Sequence, residues 1–190
     1  MFKDYKRLFV FDTETSSLSA ETGEIIEFGG LLLEREDNED KFSKQTEINH
    51  LIKVNNPIMN SHIHNITNQM CEKDGIEREE LYNILKNIFG DFEDTLLIAY
   101  NAPFDIRFIT EFMRSFDGDF CLRNHILDVL AIAKDRTMTY RGNKLCDMIV
   151  KYGVKEENTH RALDDVKATL EVLRKMWLEK NDIEDYIKNK

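Results

Sequence analysis

The sequence predicts an α/β layered domain, and three observations carry that prediction. Apolar runs of strand character come first, at 7–13, 24–34 and roughly 42–53. Strand–helix alternation then takes over: a run at 95–100 leads into a helical pattern at 103–116, and a short run at 125–129 leads into one at 128–135. With 190 residues, 42% of them hydrophobic and 33% charged, the chain is long and apolar enough for one domain with a full core.

Taken in order, Leu8, Phe9, Val10 and Phe11 are an unbroken apolar run, as expected of a strand buried on both faces. "SSLSAETG" reads as a turn into the second strand, "EIIEFGGLLLE", and the acidic run at 35–40 reads as a solvated hairpin loop before the third. Helical periodicity starts at 79–89. After the strand "TLLIAY", Asn101 stands where an N-cap belongs and Pro103 at an early helical position. Further helices are expected at 143–151 and 160–178, the last capped by Thr159 or Asn158 with Leu163, Val166, Leu170, Leu173 and Trp177 as its apolar stripe. The domain is drawn over 1–180, and residues 181–190 are a tail too charged to expect in ordered structure.

A formal net charge of −10 and a pI near 5.0 argue against a structural nucleic-acid binder, whose affinity rests on neutralising phosphates, but permit an enzyme that grips a few nucleotides through metal ions. Lys134, Arg136, Arg141 and Lys144 form a local basic cluster of a kind usually just solvated. No apolar stretch approaches bilayer length, and the N-terminal run leads into acids with no signal-type cleavage site. Cys71, Cys121 and Cys146 are scattered without paired metal spacing, which suits a reducing compartment, so a cytoplasmic protein is expected.

Carboxylates stand in three expensive places. Asp12 and Glu14 end the first strand, and residues two apart in a strand share a face, so two like charges sit side by side. A divalent cation would relieve their repulsion; emergence of the strand into solvent would explain them equally well. Asp105 falls in a helical first turn at a strand-to-helix junction, where the helix dipole alone accounts for a carboxylate. On the last helix, the 100° rotation per residue puts Asp164 on the water side and Asp165 on the flank of the buried arc, close after His160.

Together these residues resemble the DEDDh-type 3′–5′ exonuclease superfamily, named for four acids and a histidine. The family's Asp-x-Glu after an apolar strand is matched by "FDTET", its Asn-x-x-Phe-Asp by "YNAPFD", and its His-x-x-x-x-Asp by "HRALDD", from His160 to Asp165. "IIEFGGLLLE" is similar to the family's second strand and "IHNIT" to its Ile-His-Gly-Ile-Thr segment, while "DVLAIAKDR" and "NKLCDMIVKYGV" resemble bacterial DNA polymerase III epsilon-type domains. The likeness runs from about residue 7 to 178. It departs at Tyr100, where the family commonly has His, at Ser16 and Ser17 in place of Thr-Gly, and at Asn65 in place of Gly.

The resemblance implies a ribonuclease-H-like fold, a mixed five-stranded sheet flanked by helices. It implies two divalent ions, Mg²⁺ or Mn²⁺, about 3.5–4 Å apart, with Asp12 shared, Glu14 and Asp165 on one and Asp105 on the other. His160 would be the general base toward the attacking water, a role that suits imidazole. Thr13, Thr15, His64 and Asn101 would contact the nucleotide, with Phe104 either bordering its pocket or packed in the core. The substrate implied is the 3′ end of single-stranded or frayed DNA, with RNA trimming as the alternative and a non-catalytic module of the same fold as the remote one. The chain would act alone or as a subunit docking onto a DNA polymerase, its tail being a candidate docking segment.

Overall fold

β1 (Arg7–Thr15) lies in the middle of a five-stranded sheet in the computed structural model, which describes residues 2–36, 41–139, 141–156 and 159–188. On one side it pairs antiparallel with β2 (Ile25–Glu34), which pairs antiparallel with β3 (Lys44–Leu51) at the edge. On its other side it pairs parallel with β4 (Thr95–Ala99), which pairs parallel with β5 (Ile126–Asp128). The order β3-β2-β1-β4-β5 is the mixed sheet of the expected ribonuclease-H-like fold. The five expected strands are all present, and part of the acidic run, 37–40, lies outside the described residues.

Both faces of the sheet are covered, which is why β1 reads as an unbroken apolar run. Leu8 and Val10 pack with α5 (Val129–Thr137), α6 (Leu145–Tyr152) and α7 (Ala162–Glu179) through Ile132, Met148, Val166 and Leu173. Phe9 and Phe11 face the other way, into α3 (Arg78–Gly90) and α4 (Ala102–Arg114), against Leu81, Leu85, Phe108 and Phe112. Two short helices, α1 (Ser61–His64) and α2 (Asn68–Asp74), precede α3 and left no periodic signature in the sequence, having too few turns to show one.

The last helix starts later and turns further inward than its periodicity predicts. α7 begins at Ala162, not at residue 160, and Arg161 occupies the N-cap without a side-chain cap bond. The expected cap Asn158 lies outside the described residues, while Thr159 uses its hydroxyl to donate to Asp164. The buried arc centres on Asp165, Thr169, Val172 and Met176, whereas Leu163 and Trp177 are only half-buried. The sheet wraps more of this helix than a simple amphipathic stripe accounts for.

The tail is ordered through residue 188, contrary to expectation. Residues Ile183–Tyr186 form a 3₁₀ turn with Ile183 fully buried, and Lys188 exchanges backbone hydrogen bonds with Ile126, covering the open edge of β5. Its charges are what dock it: Asp182 pairs with Arg136, and the Tyr186 hydroxyl donates to Asp135 at 2.6 Å. Arg136 thereby leaves the basic cluster of the sequence and becomes a structural residue.

Helix α7 can approach β2 only because residue 29 is glycine. A Cβ there would lie 2.4 Å from the carbonyl carbon of Ala162 and 2.5 Å from the nitrogen of Leu163. Gly29→Ala is therefore expected to lower stability by at least about 2 kcal/mol in urea unfolding, the scale of an unrelievable overpacking. Gly118→Ala, at a site where a Cβ meets nothing within 4 Å, should leave the midpoint in place.

Candidate active site

The site forms where β4 stops and β1 continues. Their pairing ends at Val10 opposite Ile98, β4 ends at Ala99, and the chain turns at Tyr100 and Asn101 into α4. The turn needs the left-handed backbone of Asn101, at φ 65°, a conformation asparagine tolerates better than most residues. Asn101 is the N-cap by position, but its side chain caps nothing. Instead the Asp128 carboxylate, at the end of β5, accepts from Asn101 N at 3.0 Å, Ala102 N at 3.3 Å and Leu130 N at 3.1 Å, fixing the starts of α4 and α5 together.

Asp105, one turn into α4 and 2% exposed, reaches β1: its Oδ1 accepts from the Thr13 N–H at 3.0 Å and from the Thr13 hydroxyl at 2.7 Å. Thr13 points to the α4 side of the sheet and Asp12 and Glu14 to the α7 side. The site thus straddles the sheet's end, with one acid supplied from each helical layer. Both donor groups of Thr13 are engaged by Asp105, so Thr13 positions an acid and has no free donor for a nucleotide. Thr15 is buried as well, donating its hydroxyl to Ser17 O at 2.7 Å and accepting at its own carbonyl from Asn60 Nδ2 at 2.8 Å.

On the α7 side, antiparallel pairing sets Asp12 opposite Gly29 and Glu14 opposite Glu27, so these four positions share one face. The N-terminus of α7 is laid on that face. Glu27, 1% exposed, takes Arg161 in a fork, with Nη2 at 2.6 Å and Nε at 3.0 Å from Oε1, and accepts from Ala162 N at 3.0 Å. A buried carboxylate thus caps the helix from the neighbouring strand. Immediately before the clamp, Thr159 N donates to Asp165 Oδ1 at 3.2 Å. His160, between these anchors, is exposed and has φ 54°, outside the helix. Glu14, His160 and Asp165 bring one ligand atom each within 4.8 Å of one another.

The electrostatics show how poorly water solvates this cluster. Burial, then Asp105, Asp165, Glu14 and Glu27 in turn, push Asp12 well above the usual carboxylate range. Glu14 is pushed up to about 8, by burial first and then by Asp165 and Glu27, with Arg161 opposing. Burial raises Asp105 to about 7 against the two Thr13 hydrogen bonds, and raises Asp165 to about 7 against the bond from Thr159. Four oxygen-donor side chains raised above the ordinary carboxylate range by burial and by one another fit hard divalent cations, which would let them ionise.

The remaining expected residues separate. His64 is 1% exposed; its Nδ1 accepts from Ile66 N at 3.1 Å, which places the proton of the neutral ring on Nε2, and burial lowers its basicity. Asn65, where the family has glycine, sits in the left-handed region at φ 58°. Phe104 is half-buried, its ring 5.1 Å from that of Phe108. Asn101 is exposed at the rim. Glu27, Gly29 and Arg161 were missed by sequence reasoning. The signal for Glu27 and Gly29 was present in "IIEFGG", where an acid inside an apolar strand and a glycine in a strand interior each mark a special contact.

Stability in chelator should carry this signature. Every shifted acid here is raised, so between about pH 4 and 8 the folded protein binds more protons than the unfolded chain, and stability falls as pH rises. The urea midpoint in EDTA is expected to drop from pH 5 to pH 8 as Asp105, Asp165 and Glu14 are forced to ionise. Glu14→Gln should flatten the upper part of that decline.

Comparison with known proteins agrees with the geometry. The RNase_T exonuclease family model matches residues 9–173. The chain is 32% identical over 180 residues to the PolC-type DNA polymerase III of Clostridium perfringens, covering 93% of this chain and 12% of that protein. It is 32% identical over 165 residues to the PolC-type DNA polymerase III of Thermotoga maritima, covering 86% of this chain and 11% of that one. The chain thus spans about a tenth of the length of these relatives. Among solved structures, Escherichia coli exonuclease I in complex with a dT13 oligonucleotide is similar with a TM-score of 0.78 at 17% identity, covering 95% of this chain and 43% of that one. Exonuclease I from Methylocaldum szegediense gives 0.71 at 20% identity, covering 95% and 42%. At such identities the likeness speaks for the fold, and the family match, which runs from β1 into α7, speaks for descent: the chain belongs to the RNase_T exonuclease family, of the DEDDh type.

Proposed function

We propose that the protein is a metal-dependent 3′–5′ exonuclease that hydrolyses phosphodiester bonds at the 3′ end of single-stranded or frayed DNA. The observation that carries this reading is the convergence of Asp12, Glu14, Asp105 and Asp165 with His160 at the end of β1, where burial and mutual repulsion hold the acids above their ordinary range. DNA is favoured because the relatives are DNA polymerases and the similar solved structure was crystallised with a deoxythymidine strand. The same relatives support a partnership with a DNA polymerase. No helix among the described residues is long and apolar enough to cross a membrane.

Asp12, Glu14, Asp105 and Asp165 would hold Mg²⁺ or Mn²⁺. Divalent ions bound there supply neutralisation of phosphate charge and acidification of water. The chain's own residues do the rest. His160 is the base that takes the proton of the attacking water, and its exposure leaves that proton a path to solvent. The Glu27–Arg161 fork behind it and the Thr159–Asp165 bond in front of it fix its backbone, so the imidazole need not be ordered during turnover. Leu18 and Met59, 79% and 81% exposed, offer apolar surface to unstacked bases on the segments joined by the Asn60–Thr15 bond. His64 and Asn101 border the nucleotide in this reading.

On 5′-labelled single strands with Mg²⁺ or Mn²⁺, native protein is expected to produce a 3′ ladder on DNA and little on RNA, and Asp12→Ala none. A ladder on RNA alone reassigns the substrate, and none on either removes the enzyme reading. His160→Ala should lose 10²–10⁴-fold in turnover, the range of general-base catalysis, while binding Mn²⁺ in calorimetry as the native protein does. A fully active His160→Ala would remove the base assignment.

A further inference from the structure

We infer that the groove between the start of α4, helix α5 and the loop 141–145 is a second nucleic-acid subsite, which holds the single strand 5′ of the scissile phosphate. The inference rests on the exonuclease reading above and extends the contact surface away from the acids. The groove encloses about 560 Å³ and is lined by Tyr100, Asn101, Leu130 and Leu145, with Lys134, Arg141 and Lys144 among its walls. It opens beside the active site, because Asn101 belongs to both: Asp105 stands one turn along the same helix.

Charge identifies the occupant. Lys134, Arg141 and Lys144 are exposed, and among the described residues none has a carboxylate within ion-pair distance. In a chain of net charge −10, Arg7, Arg78, Arg114, Arg136, Arg161 and Arg174 all have acidic partners. Three exposed cations without such a partner line this one groove. Of the four-residue cluster visible in the sequence, the fold withdraws Arg136 to the tail and leaves the other three on the groove.

The loop that carries them is built, not loose. Asn143, 5% exposed, donates to Thr139 O at 2.7 Å and accepts from the Thr137 hydroxyl at 2.7 Å, and its carbonyl accepts from the Tyr100 hydroxyl at 2.5 Å. Gly142 supplies the left-handed turn at φ 71°, and Lys144 N donates to Asp147 at 2.9 Å, starting α6. Arg141 and Lys144 are pinned on either side of Asn143, and Tyr100, at the position where the family has histidine, roots the loop to the active-site turn. An apolar floor with cations around it matches single-stranded DNA, which presents base faces and phosphates together. An apolar peptide would use the floor and leave the cations idle.

The test compares native protein with Lys134→Gln/Arg141→Gln/Lys144→Gln on a trinucleotide and a dodecanucleotide of thymidine. For the dodecamer, KM is expected to rise about tenfold or more with kcat unchanged, and the dependence of log KM on log salt should flatten by up to about 2, three phosphates at ~0.7 each. The trinucleotide should be cleaved as by native protein. An unchanged dodecamer KM, or an equal loss on both lengths, would overturn the subsite. If native protein cleaved nothing, the exonuclease reading would fail separately. Fluorescence anisotropy of a labelled dodecamer would then still decide: equal affinity of native and variant sinks the groove, and weaker binding by the variant upholds it. The three residues are exposed, so the variant should keep the native urea midpoint; should it not, Arg141→Gln alone takes its place, with a two- to threefold KM change expected.

Discussion

The contact between the first turn of α7 and the middle of β2 governs this molecule. A helix N-terminus is pressed so closely onto a strand that no side chain fits at residue 29, and the neighbouring same-face position, Glu27, supplies the carboxylate that caps the helix and takes Arg161. The proposed site residues on that side all hang from the contact. Asp165 is carried to Glu14 by it, and His160 is stopped outside the helix by it. Removing Arg161 would leave the buried Glu27 carboxylate without its countercharge, so the clamp is also a point of large energetic leverage.

Asp105 is fixed by different means. The early end of β4 lets the chain fold over the exposed shoulder of β1, and one carboxylate, Asp128, holds the starts of α4 and α5 in the same act. Thr13 then receives Asp105 with both its backbone and its hydroxyl. The two helical layers therefore deliver their acids independently, and they meet only because β1 runs on beyond its parallel neighbour. A shorter β1 or a longer β4 would separate them.

On the proposed reading, an acidic protein that handles a polyanion has to separate two electrostatic tasks. At the acids, negative charge is concentrated and burial raises the carboxylates, which suits the cluster to cations and would make it unfavourable to phosphate without them. Along the adjoining groove the three unpaired cations do the reverse. The tail contributes by occupying Arg136 and covering β5, which removes both a stray cation and an open edge.

The strands, the long helices, the three acidic motifs and the inward choice of Asp165 over Asp164 were legible because each is written in short-range periodicity or in a fixed spacing. The buried arc of α7 was misjudged because its width depends on how far the sheet wraps around it. Asn101 and Thr159 look like caps, since residue type suggests capping, yet Asp128 and Glu27 do that work from 27 and 135 residues away. Thr13 and Thr15 look like substrate contacts until their hydroxyls are seen to be engaged, and the charged tail looks unstructured until Arg136 is found to need it. The sequence by itself determined which residue types stand at which spacing, and hence the strands, the acids and the family. Only the tertiary structure decided which partners complete each charge, because a hydrogen bond or ion pair between residues far apart in the chain depends on distances that local pattern does not encode.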